Sequence, residues 1–146
     1  MRAQGIGMMD IETLIPHRDR MKLIGEVMAV DEDHAVTASL ATEAWPLVSG
    51  GTLDVLVTIE LVAQTAALME GWKRQQSRRG GAKGWLVGIK KADFHLPAIP
   101  LPAALVTEVR RDYALEGYAV FEGTVRLGTK VVAQVSIQAF RPEEGT

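Results

Sequence analysis

Glu60 and Gln64 stand four positions apart inside the stretch LDVLVTIELVAQTAALMEGW, residues 53–72. Four residues is just over one helical turn, so in a helix the two side chains share a face. The stretch is otherwise apolar on nearly every side of a helical wheel. A carboxylate is costly to bury without partners. Either this face opens on a pocket, where a carboxyl can donate or accept a proton, or Glu60 is hydrogen-bonded by Gln64 or the backbone and merely fixes the helix. Gln64 reads as a positioning group rather than a reacting one. Asp54 reads first as a helix N-cap, with Thr52 as the alternative.

The other candidates are weaker. His17 lies in PHR, His34 in the DEDH turn, and His95 in DFHLP. Of these, His95 is the best second proton-handling group, against a plain cross-strand surface role. The three histidines share no metal-ligand spacing, so no metal is expected. Ser49 in SGG lacks a base in register to make it a nucleophile. The same segment lacks the spacing and lysine of a phosphate-binding loop. No cofactor is expected.

The elements that must hold these residues can be read along the chain. Its 146 residues suit one domain, with flexible tails at 1–8 and 142–146. A short helix is expected at IETLI, and a β-hairpin from MKLIGEVMAV and HAVTASLA. A loop, TEAWPLVSGGT, follows, and then one long helix over Leu53–Gln76. SRRGGAKG reads as a turn, and WLVGIKKADFHL as a strand. The three prolines of PAIPLP force an extended connector. AALVTEVRRDY, YAVFEGTVRL and KVVAQVSIQAF complete the strands, the last two joined by a tight turn at Leu127–Thr129. In the last strand Val131, Ala133, Val135, Ile137 and Ala139 should line the better-buried face. A helix apolar all round must be enclosed. The expected fold is α+β, with five to six antiparallel strands wrapped around one long central helix and a second copy covering the rest.

Composition narrows the function further. A net charge of −2 gives no whole-molecule reason to expect nucleic acid. The absence of cysteine excludes disulfides and thiolate chemistry. The apolar run of residues 53–69 is too short and too polar for a membrane span. No signal-peptide core precedes it, so a cytoplasmic protein is expected. Lys73, Arg74, Arg78, Arg79, Lys83, Lys90 and Lys91 would suit an acidic partner or a phosphate if they converged.

Three segments in order, LIPHRDRMKLIGEV, IELVAQTAAL and GIKKADFHLPAIP, resemble motifs of the 3-hydroxyacyl-[acyl-carrier-protein] dehydratases, which have the hotdog fold. The resemblance covers roughly residues 9–140. The AQT and GW details look closer to the dehydratase-like subgroup of aryl polyene pathways. It implies a homodimer or dimer of dimers acting on acyl-carrier-protein or coenzyme A thioesters, with Glu60 as the helix acid. It also implies that amides at the helix start, near Asp54 and Val55, polarise the thioester carbonyl while Gln64 helps to hold substrate. The family pairs its acid with a histidine fourteen residues earlier, contributed by the other subunit. Here that position is Pro46, so the usual histidine is missing. Three readings therefore stand: a dehydratase with a substitute proton-handling group, an acyl thioesterase using Glu60, or an inactive scaffold subunit or acyl-chain binder that pairs with an active dehydratase.

Overall fold

The structure, a computed structural model, describes residues 22–76 and 86–140. The tails, the IETLI helix, His17, the SRRGGAKG turn, Arg78, Arg79 and Lys83 lie outside the described residues. The strands are β1 (Glu26–Val30), β2 (His34–Ala41), β3 (Val48–Ser49), β4 (Thr52–Asp54), β5 (Leu86–Phe94), β6 (Ala98–Pro100), β7 (Ala103–Leu115), β8 (Tyr118–Leu127) and β9 (Lys130–Phe140). One long helix, α1 (Val57–Gln76), separates β4 from β5. A six-stranded antiparallel sheet runs in the order β1-β2-β7-β8-β9-β5, and a small sheet runs β3-β4-β6. The helix packs on β2, β7, β8 and β9. This is the hotdog fold.

Alternation along the strands explains the inner face. Ala35, Thr37, Ser39 and Ala41 of β2 are buried, as are Leu105, Thr107 and Val109 of β7, and Ala133, Val135, Ile137 and Ala139 of β9. The expected pattern in β9 fails at its start. A register shift, Val125↔Ala133 followed by Arg126↔Val131, leaves Val132 as an extra residue there. Val132 is buried while Val131 is only partly so, because a bulge displaces the alternation.

The helix begins at Val57, not at Leu53. Residues 52–54 are drawn into a ladder, Thr52↔Pro100, Leu53↔Ile99 and Asp54↔Ala98, which buries Leu53 and Ile99 against each other's strands. The proline-rich connector is thus extended as expected, and it also pairs. Neither expected N-cap caps the helix. Thr52 Oγ1 donates to the Ser49 carbonyl, and Asp54 Oδ1 accepts from Leu56 N–H at 2.9 Å, closing the turn that precedes the helix.

Apolar packing alone would leave the helix free to rotate and slide. Three polar contacts hold it. Thr65 Oγ1 and Thr37 Oγ1 share a hydrogen bond at 2.9 Å, wholly buried. Leu23 N–H donates to Gln64 Oε1 at 2.9 Å. Glu70 Oε2 lies 2.6 Å from Arg111 Nη2 as an ion contact that lacks aligned hydrogen-bond geometry. Arg111 also donates to the Glu32 carbonyl and lies over the Phe121 ring, so one guanidinium joins helix, sheet and the β1–β2 turn. Among the described residues no helix is long and apolar enough to cross a membrane.

At Gly123 the helix lies close against the sheet. A Cβ there would lie 2.6 Å from both Val62 methyls, which real contacts do not allow. Gly123→Ala should cost about 1–3 kcal/mol, read by urea unfolding. With Val62→Ala added, the pair should cost less than the sum of the two single changes.

On the outer face Glu108 accepts from His34 Nε2 at 2.7 Å and from Arg126 Nη1 at 3.3 Å. The His34 hydrogen bond is the main cause that holds the Glu108 carboxyl below its ordinary 4.5; partial burial opposes it and Arg126 assists. A depressed folded-state pKa contributes stability above the ordinary value, which is lost as pH falls through the folded one. Over a third of each side chain in the Glu108–Arg126 pair is exposed, so the contribution should be only about 0.5 kcal/mol. Thermal melts should show wild type above Glu108→Gln near neutrality, with the gap closing below pH 4.5.

Candidate active site

The residue that organises the site is Gln64, which is 0 % exposed. A buried amide must satisfy both of its ends. Its oxygen takes the Leu23 N–H, since a backbone N–H can only donate. That leaves Nε2 to face the helix acid, and it donates to Glu60 Oε2 at 3.1 Å. The side chains share a face as their spacing requires, and the chain entering β1 is tied to the same pair. Gln64 thus links Glu60 to the Leu23 backbone through one side chain.

Glu60 is half-buried and lines an apolar cavity of about 460 Å³. The lining comes from three separate segments: Leu23 before β1, Pro46 and Leu47 in the loop after β2, and Leu56, Val57 and Ile59 around the helix start. Among the described residues, Glu60 is the only ionisable side chain in that lining. Both readings of the acid are therefore partly met: it has a fixed hydrogen bond, and it faces a void.

Pro46, the position fourteen residues before Glu60, lines the cavity beside the acid of its own chain. It carries no group that can move a proton. His95 does not line the cavity. It is exposed, in the loop after β5, with its backbone N–H bound to the Val132 carbonyl at 2.9 Å. His34 is engaged with Glu108 on the outer face. Ser49, in β3, is exposed and offers its carbonyl to Thr52. Lys91 stands 3.7 Å from Asp93 in a polar outer depression that also holds Glu122 and Ser136.

Neither Asp54 nor Val55, whose amides were expected to polarise a carbonyl, lines the cavity. Asp54 N–H is taken by the Leu47 carbonyl at 3.0 Å, so it cannot serve. Val55 is buried and lies outside the cavity lining. The helix proper starts two residues later, at Val57, which does line the cavity. First-turn amides lack intrahelical acceptors and sit at the positive end of the helix dipole. Among the described residues no group of three or more His, Asp or Glu side chains is gathered to hold a metal ion.

The ApeP-like family, described as ApeP dehydratase, matches residues 9–146. The chain belongs to this family. A 3-hydroxyacyl-[acyl-carrier-protein] dehydratase FabZ of Streptococcus uberis is 28% identical over 107 residues, covering 70% of this chain and 74% of that protein. In fold, the chain matches the dehydratase heterocomplex ApeI:P from Xenorhabdus doucetiae with a TM-score of 0.85 and 19% identity, over 93% of both chains. A hypothetical thioesterase from Streptococcus pneumoniae, solved with coenzyme A, aligns with a TM-score of 0.63 and 11% identity, over 83% of this chain and 88% of that one. The ApeP-like assignment agrees with the aryl-polyene-associated resemblance of the sequence motifs.

Sequence reasoning missed the cavity rim. Leu47 has φ 64, and every other described positive-φ residue is a glycine. A left-handed backbone costs a bulky L-residue about 1–2 kcal/mol. At ordinary helical or strand positions alanine is more stabilising than glycine. Here the order should reverse, with Leu47→Gly more stable than Leu47→Ala by about 1 kcal/mol in chemical denaturation.

Proposed function

We propose that this chain is the acid-bearing subunit of a 3-hydroxyacyl-thioester dehydratase, completed by a partner hotdog subunit. The observation that carries the reading is Glu60, held by Gln64 and facing an apolar cavity that Pro46 also lines, the position where the resemblance expects a histidine. Elimination of water needs a base at C2 and an acid at the 3-hydroxyl. The base removes the C2 proton, and that bond pair becomes the C2–C3 double bond. The C3–O bond breaks, and the departing hydroxyl takes the Glu60 proton to leave as water. Charge gathers on the thioester oxygen meanwhile, and its stabilisation is assigned to the amide at Val57, a lining residue at the helix start. The apolar lining suits the acyl chain.

One carboxyl supplies one of the two proton-handling groups. The base is assigned to the partner subunit, because one chain leaves several apolar surfaces uncovered. Val87 and Ile89 alternate with the outward-facing residues of edge strand β5, yet both are more than half exposed, and Phe94 is more than a third exposed. On the helix, Ile59, Ala63 and Ala67 are only partly covered. Together with an unpaired strand edge, these surfaces favour a second sheet alongside. That a related fold is named as a dehydratase heterocomplex supports a hetero-oligomer. His95 could act only across such an interface. The expected carrier is an acyl-carrier-protein or coenzyme A thioester.

The test uses the purified chain, alone and co-purified with a histidine-bearing hotdog dehydratase subunit, on a 3-hydroxyacyl thioester. Enoyl thioester should form with the complex and not with the chain alone. Glu60→Gln in this chain should lower the complex's kcat by about 10²-fold or more. Release of free thiol would show hydrolysis instead. Turnover indifferent to Glu60→Gln would leave this chain as a scaffold.

A further inference from the structure

We propose that Leu47 and Leu56 form a paired mouth to the Glu60 cavity, closing on an unbranched apolar chain and selecting by chain length, with Asp54 as the residue that sets their spacing. This rests on the acyl-thioester reading of the site and adds its specificity device.

Three observations converge. Leu47 and Leu56 line the cavity together with Glu60, and they are 55% and 51% exposed. The other apolar lining residues, Leu23, Pro46, Val57 and Ile59, are buried or half-buried. A side chain that is half in a cavity and half in solvent stands at its rim. An apolar rim disfavours charged or strongly hydrated ligands, which would lose hydration there without gaining partners.

Both leucines are fixed by one residue. The Asp54 backbone N–H donates to the Leu47 carbonyl at 3.0 Å. The Asp54 carboxylate accepts from the Leu56 N–H at 2.9 Å. Asp54 itself is locked into β4 by its pairing with Ala98. One peptide unit and its side chain thus hold both lips of the mouth. Asp54 is a positioning residue rather than one that touches substrate.

The backbone at Leu47 argues that its side chain is what the site keeps. Gly50, Gly51, Gly117 and Gly128 meet the same left-handed requirement without strain. A glycine would serve the turn at residue 47 equally well. A leucine there carries the strain and, being half-exposed, regains little of it from packing in the free protein. An apolar chain entering the mouth would bury that exposed surface.

The test measures binding, which does not require turnover. Saturated acyl-coenzyme A thioesters from acetyl to lauroyl are titrated calorimetrically into the full chain in the assembly in which it purifies. Wild-type affinity should climb with chain length. Leu47→Ala and Leu56→Ala should each weaken octanoyl binding about five- to tenfold, leave acetyl binding unchanged and flatten the climb. Asp54→Ala should flatten it likewise, and Asp54→Asn, which keeps the acceptor oxygen, should restore it. Variants that climb as steeply as wild type would overturn the mouth and leave the acyl-binding reading intact. So would variants that change only the mass of the assembly, which would make the rim a subunit contact. A wild-type protein that binds no member of the series would overturn both.

Discussion

The site depends on one buried amide. Gln64 has no exposure to water, so both ends of its side chain must find partners inside the protein. The Leu23 N–H takes the oxygen, and that choice dictates the rest. The amide nitrogen must then face an acceptor, and Glu60, one turn back, supplies it. A chain segment, a helix rotation and a carboxyl orientation are fixed by two hydrogen bonds. Replacing the amide with an apolar group would take this acceptor from the Leu23 N–H and this donor from Glu60, a cost borne beside the cavity.

That amide works only if the helix sits at one height above the sheet. Gly123 permits the approach of Val62, and the Thr37–Thr65 and Glu70–Arg111 contacts prevent the helix from sliding once it has arrived. The polar contacts lie along the helix with Gln64 between Glu60 and Glu70, so the helix is pinned at the turn that carries Glu60 and near its far end. Apolar side chains supply most of the adhesion, and the polar ones supply the register. The uncovered concave residues of β5 show where this logic stops: the sheet is wider than one helix can cover.

Much of this was legible in the sequence, and the exceptions have physical causes. The spacing of Glu60 and Gln64 announced a shared face, and the alternation in the last strand, β9, announced the sheet. The helix start was misread because Leu53, Val55 and Leu56 continue its apolar pattern, while the ladder that claims residues 52–54 depends on β6, more than forty residues away. Strands of two or three residues, such as β3, carry no periodicity to detect. The bulge that buries Val132 is a register effect between two strands and has no signature in either alone. Leu47 escaped notice for a related reason: glycine advertises a left-handed backbone, and leucine does not. His95 attracted attention by chemistry alone, and the fold holds it outside the cavity lining.

Proline at position 46 explains why the cavity is so apolar. A histidine there would bring a polar ring and its water beside Glu60. Proline brings a saturated ring and no backbone N–H, so among the described lining residues only Glu60 can exchange a proton. Such a wall binds hydrocarbon well and moves protons poorly. A chain built this way is better suited to holding a substrate and giving one proton than to completing an elimination by itself. Under the proposed elimination the second proton-handling group comes from beyond the described lining, and the uncovered apolar residues of β5 are where another subunit has reason to approach.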